Sequence, residues 1–204
     1  MTRFKLSIVA LFATLLFASV SMAQELPKNE VSVQGTGFFT NDTTGKGVRQ
    51  HTTDSGGLLI GYRYHINSWL AADGSYGYNR NTFQNFLSAG AFNINSNVHQ
   101  TTGALGFTSP KKFGLIRPYA LAGAGVLNFD PTGKPGGTVI GANGQNKGTF
   151  LYGAGTDIDL NARFALRLQY RGLVYDRPDF GFTALNSGTT THTAQTSAGF
   201  LIPF

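Results

Sequence analysis

This chain of 204 residues contains four residues suited to acid–base chemistry, the histidines His51, His65, His99 and His192. A histidine hydrogen-bonded to a serine and a carboxylate can carry out acyl transfer, the chemistry of lipid hydrolases and acyltransferases. The only glutamates, Glu25 and Glu30, lie near the start of the chain, so such a triad would depend on Asp54, Asp176 or Asp179. Because no nucleophile motif accompanies these residues, we expect no catalytic site and no enzymatic activity.

Metal and cofactor chemistry also lack a sequence pattern. The histidines are scattered and the chain has no cysteine, so the ligand spacing of a metal site is missing, although His99 and His192 could approach each other at one rim. The glycine-rich stretch 133–148 contains no Gly-Lys-Ser/Thr sequence and precedes a strand, which excludes a phosphate-binding loop. We expect no metal and no cofactor, and a mobile loop over 133–148.

A second polar set lies on segments in which polar and apolar residues alternate. Its members are Arg63, Asp73, Asp157, Asp159, Arg167, Gln169 and Arg171. In a closed barrel these side chains would all point inward, where buried charges need partners. We predict that they pair with each other and form a polar plug. A narrow selective pore lined by Arg63, Arg167 and Arg171 is the alternative interpretation.

Period-two alternation recurs in eight segments, at residues 31–39, 58–66, 69–78, 98–108, 116–129, 149–159, 163–175 and 191–204. Each has roughly the 9–11 residues that a tilted membrane-spanning strand needs. In the fourth segment we expect Leu105 and Phe107 to point outward. The pattern predicts an all-β fold, an eight-stranded antiparallel up-and-down transmembrane β-barrel over residues 31–204, preceded by a short periplasmic tail at 24–30.

Short and long connections alternate along the chain. The short ones are residues 67–68, 109–115 and 160–162, and the long polar ones are 40–57, 79–97, 130–148 and 176–190. Short turns at one end and long loops at the other are typical of outer-membrane barrels, whose turns are periplasmic and whose loops are extracellular. The connections therefore predict an outer-membrane location.

Aromatic residues cluster near both ends of the predicted strands, as in the interface girdles of membrane barrels. Near the short turns lie Tyr64, Trp69, Phe113, Tyr119, Phe164 and Phe204, and near the long connections lie Phe38, Phe39, Tyr78, Phe129, Phe150 and Tyr175. The alternative is the core of a soluble, secreted β-protein.

The first 23 residues have the features of an export signal. Arg3 and Lys5 precede an apolar run over residues 6–20, and the small residues around Met22 predict cleavage after Ala23. The net charge of the whole chain is +6 and is spread without a basic run, which argues against a nucleic-acid partner. Without cysteine, the exported fold depends on packing and backbone hydrogen bonds.

Three stretches resemble the small OmpA-like and Opa-like outer-membrane β-barrel family. They are RPYALAGAGV at 117–126, YGAGTDIDLNARFALRLQYRGLVY at 152–175 and the terminal AGFLIPF at 198–204. The resemblance covers nearly the whole mature chain and implies the barrel fold but no particular activity. It also implies that Phe200, Ile202 and Phe204 form a recognition signal for the barrel-assembly machinery.

We therefore expect a non-enzymatic barrel with a polar, plugged interior and a structural or surface-interaction role. A narrow pore or a conduit for small hydrophobic ligands is the alternative, and a lipid-modifying enzyme comes third. The expected partners are outer-membrane lipid, lipopolysaccharide and an unidentified extracellular ligand, and the expected state is a monomer. Mildly cationic loops suit the phosphates of lipopolysaccharide; their basic residues are Lys46, Arg49, Arg80, Lys134, Lys147 and Arg177.

Overall fold

The computed structural model describes residues 28–45, 48–87, 90–110, 113–132, 141–161, 163–186 and 188–204. Within them lie ten strands and one short 3-10 turn at Thr183–Leu185. The strands are β1 (Asn29–Thr40), β2 (Thr43–Gly45), β3 (Val48–Thr52), β4 (Ser55–His65), β5 (Leu70–Leu87), β6 (Gly90–Thr108), β7 (Ile116–Pro131), β8 (Gln145–Asp159), β9 (Ala165–Asp176) and β10 (Thr190–Pro203). Among these described residues, no helix has the length and apolar character needed to cross a membrane.

Eight of the strands form a closed antiparallel barrel in the order β5-β4-β1-β10-β9-β8-β7-β6, and β5 closes it by pairing with β6. The first and last barrel strands pair along their full length, from Glu30 opposite Pro203 to Thr40 opposite Thr193. Closure leaves no open sheet edge, which is the condition for a sheet to cross hydrocarbon. The predicted fold is confirmed.

Side-chain direction follows the alternation of the sequence. The outer wall is apolar and includes Val33, Ile60, Leu105, Phe107, Leu168, Phe200 and Ile202. The outward direction predicted for Leu105 and Phe107 is confirmed, since both are at least 40% exposed. In a membrane barrel this apolar wall contacts lipid, so its exposure does not oppose folding.

Two predicted loops contain strands instead. Strands β5 and β6 have 18 and 19 residues, so the stretch 79–97 mainly continues their hairpin beyond the barrel. Within 40–57, β2 pairs with β3, and β3 pairs with β5. The result is a small extracellular sheet in the order β2-β3-β5-β6. These strands contain polar residues such as Asn81 and Asn95 and were therefore predicted to be loops. The alternation of polar and apolar residues weakens where a sheet leaves the membrane.

The predicted girdle is wrong for four aromatic residues. Phe38, Tyr119, Phe129 and Tyr175 are almost completely buried and point into the barrel. Along much of their strands apolar residues lie on both faces, as in residues 119–127 of β7, so alternation alone did not distinguish the inner face from the outer. The other aromatics predicted for the girdle, including Trp69 and Phe150, lie on the exposed wall.

Several sequence predictions fall on residues outside the described ranges. These are the export signal with its cleavage at Ala23, the tail up to residue 27, residues 133–140 of the glycine-rich loop, and the loop lysines Lys46 and Lys134. At the other end of the predicted tail, β1 begins at Asn29, so Asn29 and Glu30 belong to the barrel wall.

Candidate functional site

The interior near the short turns holds a network of buried ion pairs. Arg167 donates from Nε and Nη2 to the two oxygens of Asp157, at 2.7 and 2.9 Å. Its Nη2 also donates to Glu30 Oε2 at 2.9 Å. Both Nε and Nη2 of Arg63 lie 3.0 Å from Asp73 Oδ2. Strand register explains these pairs, because Arg63 is directly opposite Asp73 and Arg167 is directly opposite Asp157.

Three residues that sequence reasoning did not assign to this network complete it. Glu30 Oε1 lies 3.0 Å from His65 Nε2 and 3.4 Å from Arg117 Nη1. Arg117 also lies 3.4 Å from Asp159 Oδ1, at the partly exposed edge of the network. Glu30 was missed because it was assigned to the periplasmic tail. The signal was present, since Glu30, Ser32 and Gln34 alternate in β1 and all point inward.

Arg171 and Gln169 lie at the upper edge of the network. Arg171 donates from Nε to Gln169 Oε1 at 2.8 Å and from Nη1 to Ser75 Oγ at 2.7 Å. Its Nη2 lies 3.5 Å from Asp73 Oδ1. The structure therefore brings the predicted set together, in contact with Glu30, His65 and Arg117.

The charges of this network balance. Four arginines, Arg63, Arg117, Arg167 and Arg171, face four carboxylates, Glu30, Asp73, Asp157 and Asp159. The ring of Tyr119 adds a cation–π contact, 4.2 Å from Arg63 Cζ and 5.2 Å from Arg167 Cζ. Balanced pairing matters here because an uncompensated buried charge costs several kcal/mol.

Gly155 provides room for the Tyr119 ring. A Cβ atom at Gly155 would lie about 2.5 Å from the Tyr119 hydroxyl oxygen, closer than real carbon atoms approach. An inward glycine at this position therefore leaves space for an aromatic ring of the network.

The interior near the long loops has the opposite chemistry. It is an apolar cluster of Phe38, Phe83, Ile94, Val98, Tyr119, Leu121, Leu127, Phe129, Leu151, Leu173, Tyr175, Phe180 and Leu185. Its ring centroids are close, with Phe180 5.3 Å from Phe83 and 6.4 Å from Phe129. Tyr119 and Leu121 extend this apolar cluster toward the ionic network.

Phe180 enters the cluster from the last extracellular loop, which folds over the barrel mouth. Its φ is +52°, an unfavourable value for a bulky residue. The strain is offset by complete burial of the ring and by a hydrogen bond from Asn143 N to Phe180 O at 2.9 Å. Beside it, burial alone would raise the pKa of Asp179, but hydrogen bonds from Gln145 and from Gly181 N lower it overall. The loop is thus attached to its neighbours.

Arg177 connects the same loop to the extracellular sheet. It donates from Nη1 to Thr43 O at 3.1 Å and from Nη2 to Gln50 O at 3.0 Å. These carbonyls belong to β2 and β3. Burial lowers the pKa of Arg177 to about 10, so the side chain is still charged at neutral pH.

Between the ionic network and the apolar cluster lie buried amides. Gln34 accepts a hydrogen bond from Ser197 at 2.9 Å, and Asn79 accepts one from Thr36 at 2.8 Å. Within the described part of the chain, the side-chain amides of Gln100 and Gln195 have no hydrogen-bond partner although both are buried. Buried amides of this kind usually bind internal water.

The histidines do not come together. His99 Nδ1 lies 2.7 Å from the Tyr76 hydroxyl, and His192 Nε2 lies 2.9 Å from the Tyr152 hydroxyl. Their strands, β6 and β10, are not neighbours in the barrel, so His99 and His192 do not approach each other. The described residues contain no group of three or more His, Cys, Asp or Glu side chains that could hold a metal.

The predicted assembly residues lie on the outer wall. Phe200, Ile202 and Phe204 are 60%, 46% and 65% exposed. Phe204 N donates to Asn29 O at 2.9 Å, which joins the end of the chain to the start of β1.

Comparison with known proteins agrees with this geometry. The sequence model of the outer membrane protein beta-barrel domain family matches residues 9–200. The crystal structure of the outer membrane protein OprG from Pseudomonas aeruginosa is similar, with a TM-score of 0.65, 12% identity, and coverage of 90% of this chain and 99% of that one. No curated protein sequence matches.

Two other solved structures share the fold. Neisserial surface protein A has a TM-score of 0.58 and 12% identity over 89% of this chain and 100% of its own. The outer membrane protein AlkL, determined by solid-state NMR in DMPC bilayers, has a TM-score of 0.54 and 14% identity over 92% of this chain and 95% of its own. At these identities the likeness is one of fold.

Proposed function

The chain belongs to the outer membrane protein beta-barrel domain family and lies in the outer membrane, and from this premise we propose that it is a closed, non-enzymatic barrel whose extracellular segments form an interaction surface. The observation that carries the proposal is the filling of the interior at both ends. Ion pairs fill it near the turns, and aromatic and aliphatic side chains fill it near the loops.

Passage of a hydrated ion through such an interior would require two separate disruptions. At the turn end it would have to separate arginines from carboxylates, which is costly for buried pairs. At the loop end it would have to displace Phe180 from its contacts with Phe83 and Phe129. An eight-stranded barrel is in any case only wide enough for its own side chains. These features favour a plugged interior over a narrow pore.

The extracellular side supports the second half of the proposal. The extended β5–β6 hairpin and the attached β2–β3 hairpin form a sheet, and Arg177 fixes that sheet to the loop over the barrel mouth. A rigid scaffold that presents ordered segments outward is the usual basis of specific contacts.

Acyl-transfer chemistry has little support in this geometry. His51 pairs with Asp42 at 2.5 Å, but no serine or threonine hydroxyl among the described residues is hydrogen-bonded to that histidine. His99 and His192 each pair with a tyrosine on the outer wall. A triad needs a nucleophile, a histidine and a carboxylate in one chain of hydrogen bonds.

Planar-bilayer recording tests whether the barrel is closed. We expect the refolded wild-type protein to show no steady channel, in preparations whose folding is checked by heat-modifiable gel mobility. A small, steady, ion-selective conductance would support the narrow pore instead. A steady conductance of porin size would overturn the closed interior altogether.

A conduit for small hydrophobic ligands is the second candidate, and the apolar cluster beneath Phe180 favours it. The test uses octane added to the protein in deuterated lipid nanodiscs. Nuclear Overhauser contacts from octane to the interior residues Leu127 and Phe129 would support the conduit. Contacts confined to Leu105 and Phe107 on the outer wall are expected for a closed barrel.

We also propose that the terminal strand is the signal for the barrel-assembly machinery and that the protein acts as a monomer. The exposed Phe200, Ile202 and Phe204 are consistent with recognition before membrane insertion. Deletion of Phe204 is expected to lower the amount of assembled barrel in cells. Unchanged assembly would contradict this role.

A further inference from the structure

A cleft of about 440 Å³ opens on the extracellular sheet and is lined by Asp42, Arg49, His51 and Gln84. Strand register forms it, because His51 on β3 is opposite Gln84 on β5. Gln84 shares one face of β5 with Tyr76, Tyr78 and Arg80, since side chains alternate along a strand. The cleft therefore faces sideways, above the lipid-facing aromatic residues.

Hydrogen-bond donors dominate this cleft. Asp42 contacts two side chains, since Oδ1 lies 2.5 Å from His51 Nδ1 and Oδ2 lies 3.4 Å from Arg49 Nη2. The hydrogen bond from His51, together with that from Arg49, lowers the pKa of Asp42, so its carboxylate stays ionised. The remaining guanidinium N–H groups of Arg49 and the side-chain amide of Gln84 are left for a ligand. Such donors suit a phosphate.

The strands that carry the cleft are held by hydrogen bonds from Arg177. From the opposite face of the same sheet, Arg177 donates to the carbonyls of Thr43 and Gln50, which lie on β2 and β3 beside the cleft residues. A site that is already ordered loses less conformational entropy on binding.

The height of the cleft indicates which anion it meets. At roughly 3.3 Å per residue, Arg80 lies about 7 Å and Gln84 about 20 Å along β5 from the aromatic Tyr78. Strand tilt reduces these heights. The headgroup layer extends about 5–8 Å beyond the hydrocarbon, so Arg80 lies at headgroup level and the cleft lies above it. The Arg80 side chain is exposed on this face of β5.

We propose that this lateral cleft, together with Arg80 below it, binds a phosphate carried by the saccharide of a neighbouring lipopolysaccharide molecule. The proposal deepens the interaction surface proposed above and rests on it. It names the surrounding glycolipid as a ligand that approaches from the side, rather than a soluble molecule that approaches from outside the cell.

Isothermal titration of the protein in phosphatidylcholine nanodiscs tests the proposal. The probes are lipopolysaccharide with a phosphorylated core, the same material after dephosphorylation, and inorganic phosphate. The variants are the double change Arg49→Gln with His51→Gln, and the matched control Arg163→Gln, an exposed arginine at a periplasmic turn.

We expect the double variant to bind phosphorylated lipopolysaccharide at least tenfold more weakly than wild type, and Arg163→Gln to bind it unchanged. The affinity of wild type should fall by a similar factor when the lipopolysaccharide is dephosphorylated. This comparison does not depend on the folding of any variant. Equal binding of both forms by wild type would overturn the proposal. So would inorganic phosphate binding as tightly as the lipid, since a soluble anion would then be the ligand.

The phosphate-binding cleft and the closed barrel can be refuted independently of each other. A steady conductance would refute the plugged interior whatever the cleft binds. Loss of the phosphate effect would leave the interior untouched.

Discussion

At the turn end of the barrel interior, Arg63 and Arg167 are neutralised by carboxylates on neighbouring strands, whereas at the loop end Phe83, Phe129 and Phe180 pack together without any charge. Both ends are lined by the inward face of the same eight strands. The two ends differ in how strongly a substitution is expected to destabilise the fold. Removal of one ion-pair partner leaves a buried charge, whereas removal of one ring leaves a space that neighbours can partly fill.

The two ends also differ in how they are built. Every member of the ionic network lies on a barrel strand, so backbone pairing fixes its position. The apolar cluster depends in part on Phe180 and Leu185, which come from the last extracellular loop. The turn end should therefore be rigid, and the loop end should be the part that opens first.

The largest expected effect belongs to the turn end. Arg167→Met leaves Asp157 and Glu30 without their shortest contacts, and we expect a loss of about 3–5 kcal/mol in the free energy of unfolding. Urea unfolding of the refolded protein in lipid measures it. Arg163→Met, a change at an exposed turn, is the control and should alter stability little. A loss below about 1 kcal/mol for Arg167→Met would contradict the importance of balanced charge.

A smaller, local effect is expected at the loop end. Phe180→Ala should cost less than the roughly 3–5 kcal/mol of the same change in a rigid core, because the loop can collapse into the space. Hydrogen exchange should accelerate at Asn143 and Phe182 and remain slow in β9 and β10. Phe150→Ala on the outer wall is the control. Global unfolding of Phe180→Ala at the same denaturant concentration as Arg167→Met would remove the distinction between the ends.

The ion pair outside both regions should contribute least. The pKa of Asp42 is lowered from 3.8 by its hydrogen bonds to His51 and Arg49. A lowered pKa stabilises the folded loop above pH 3.8, and that contribution disappears as pH falls through the folded value. Because the pair is exposed, we expect about 0.2–1 kcal/mol. NMR titration of the Asp42 carboxyl checks this, and a midpoint above 3.8 would contradict it.

The turn end of the interior was easier to predict from the sequence than the loop end. Charged residues such as Arg167 and Asp157 are conspicuous on alternating strands, since a membrane barrel has no other place for them. Glu30 was missed because the first strand was predicted to begin at residue 31, whereas β1 begins at Asn29. Apolar inward residues such as Phe129 resemble lipid-facing ones, because on β7 both faces are apolar and periodicity does not say which face is inside.

The strands of the extracellular sheet were not predicted from the sequence, for a different reason. Beyond the membrane, neither face of a strand needs to be apolar, so β2, β3 and the upper part of β5 read as loops. Contacts such as those of Arg177 with Thr43 and Gln50 involve backbone carbonyls, which no side-chain pattern reveals. The lateral cleft depends on the pairing of β3 with β5 and therefore could not be predicted from the sequence.

The most direct test of a barrel closed at both ends uses a single cysteine between them, since the chain has no cysteine of its own. Gln195 is completely buried between the ionic network and the apolar cluster. A thiol at this position, Gln195→Cys, should not react with a membrane-impermeant maleimide added to either side, while Asp54→Cys on the exposed loop side reacts readily. Labelling of Gln195→Cys at a rate close to that of Asp54→Cys would contradict the closed interior.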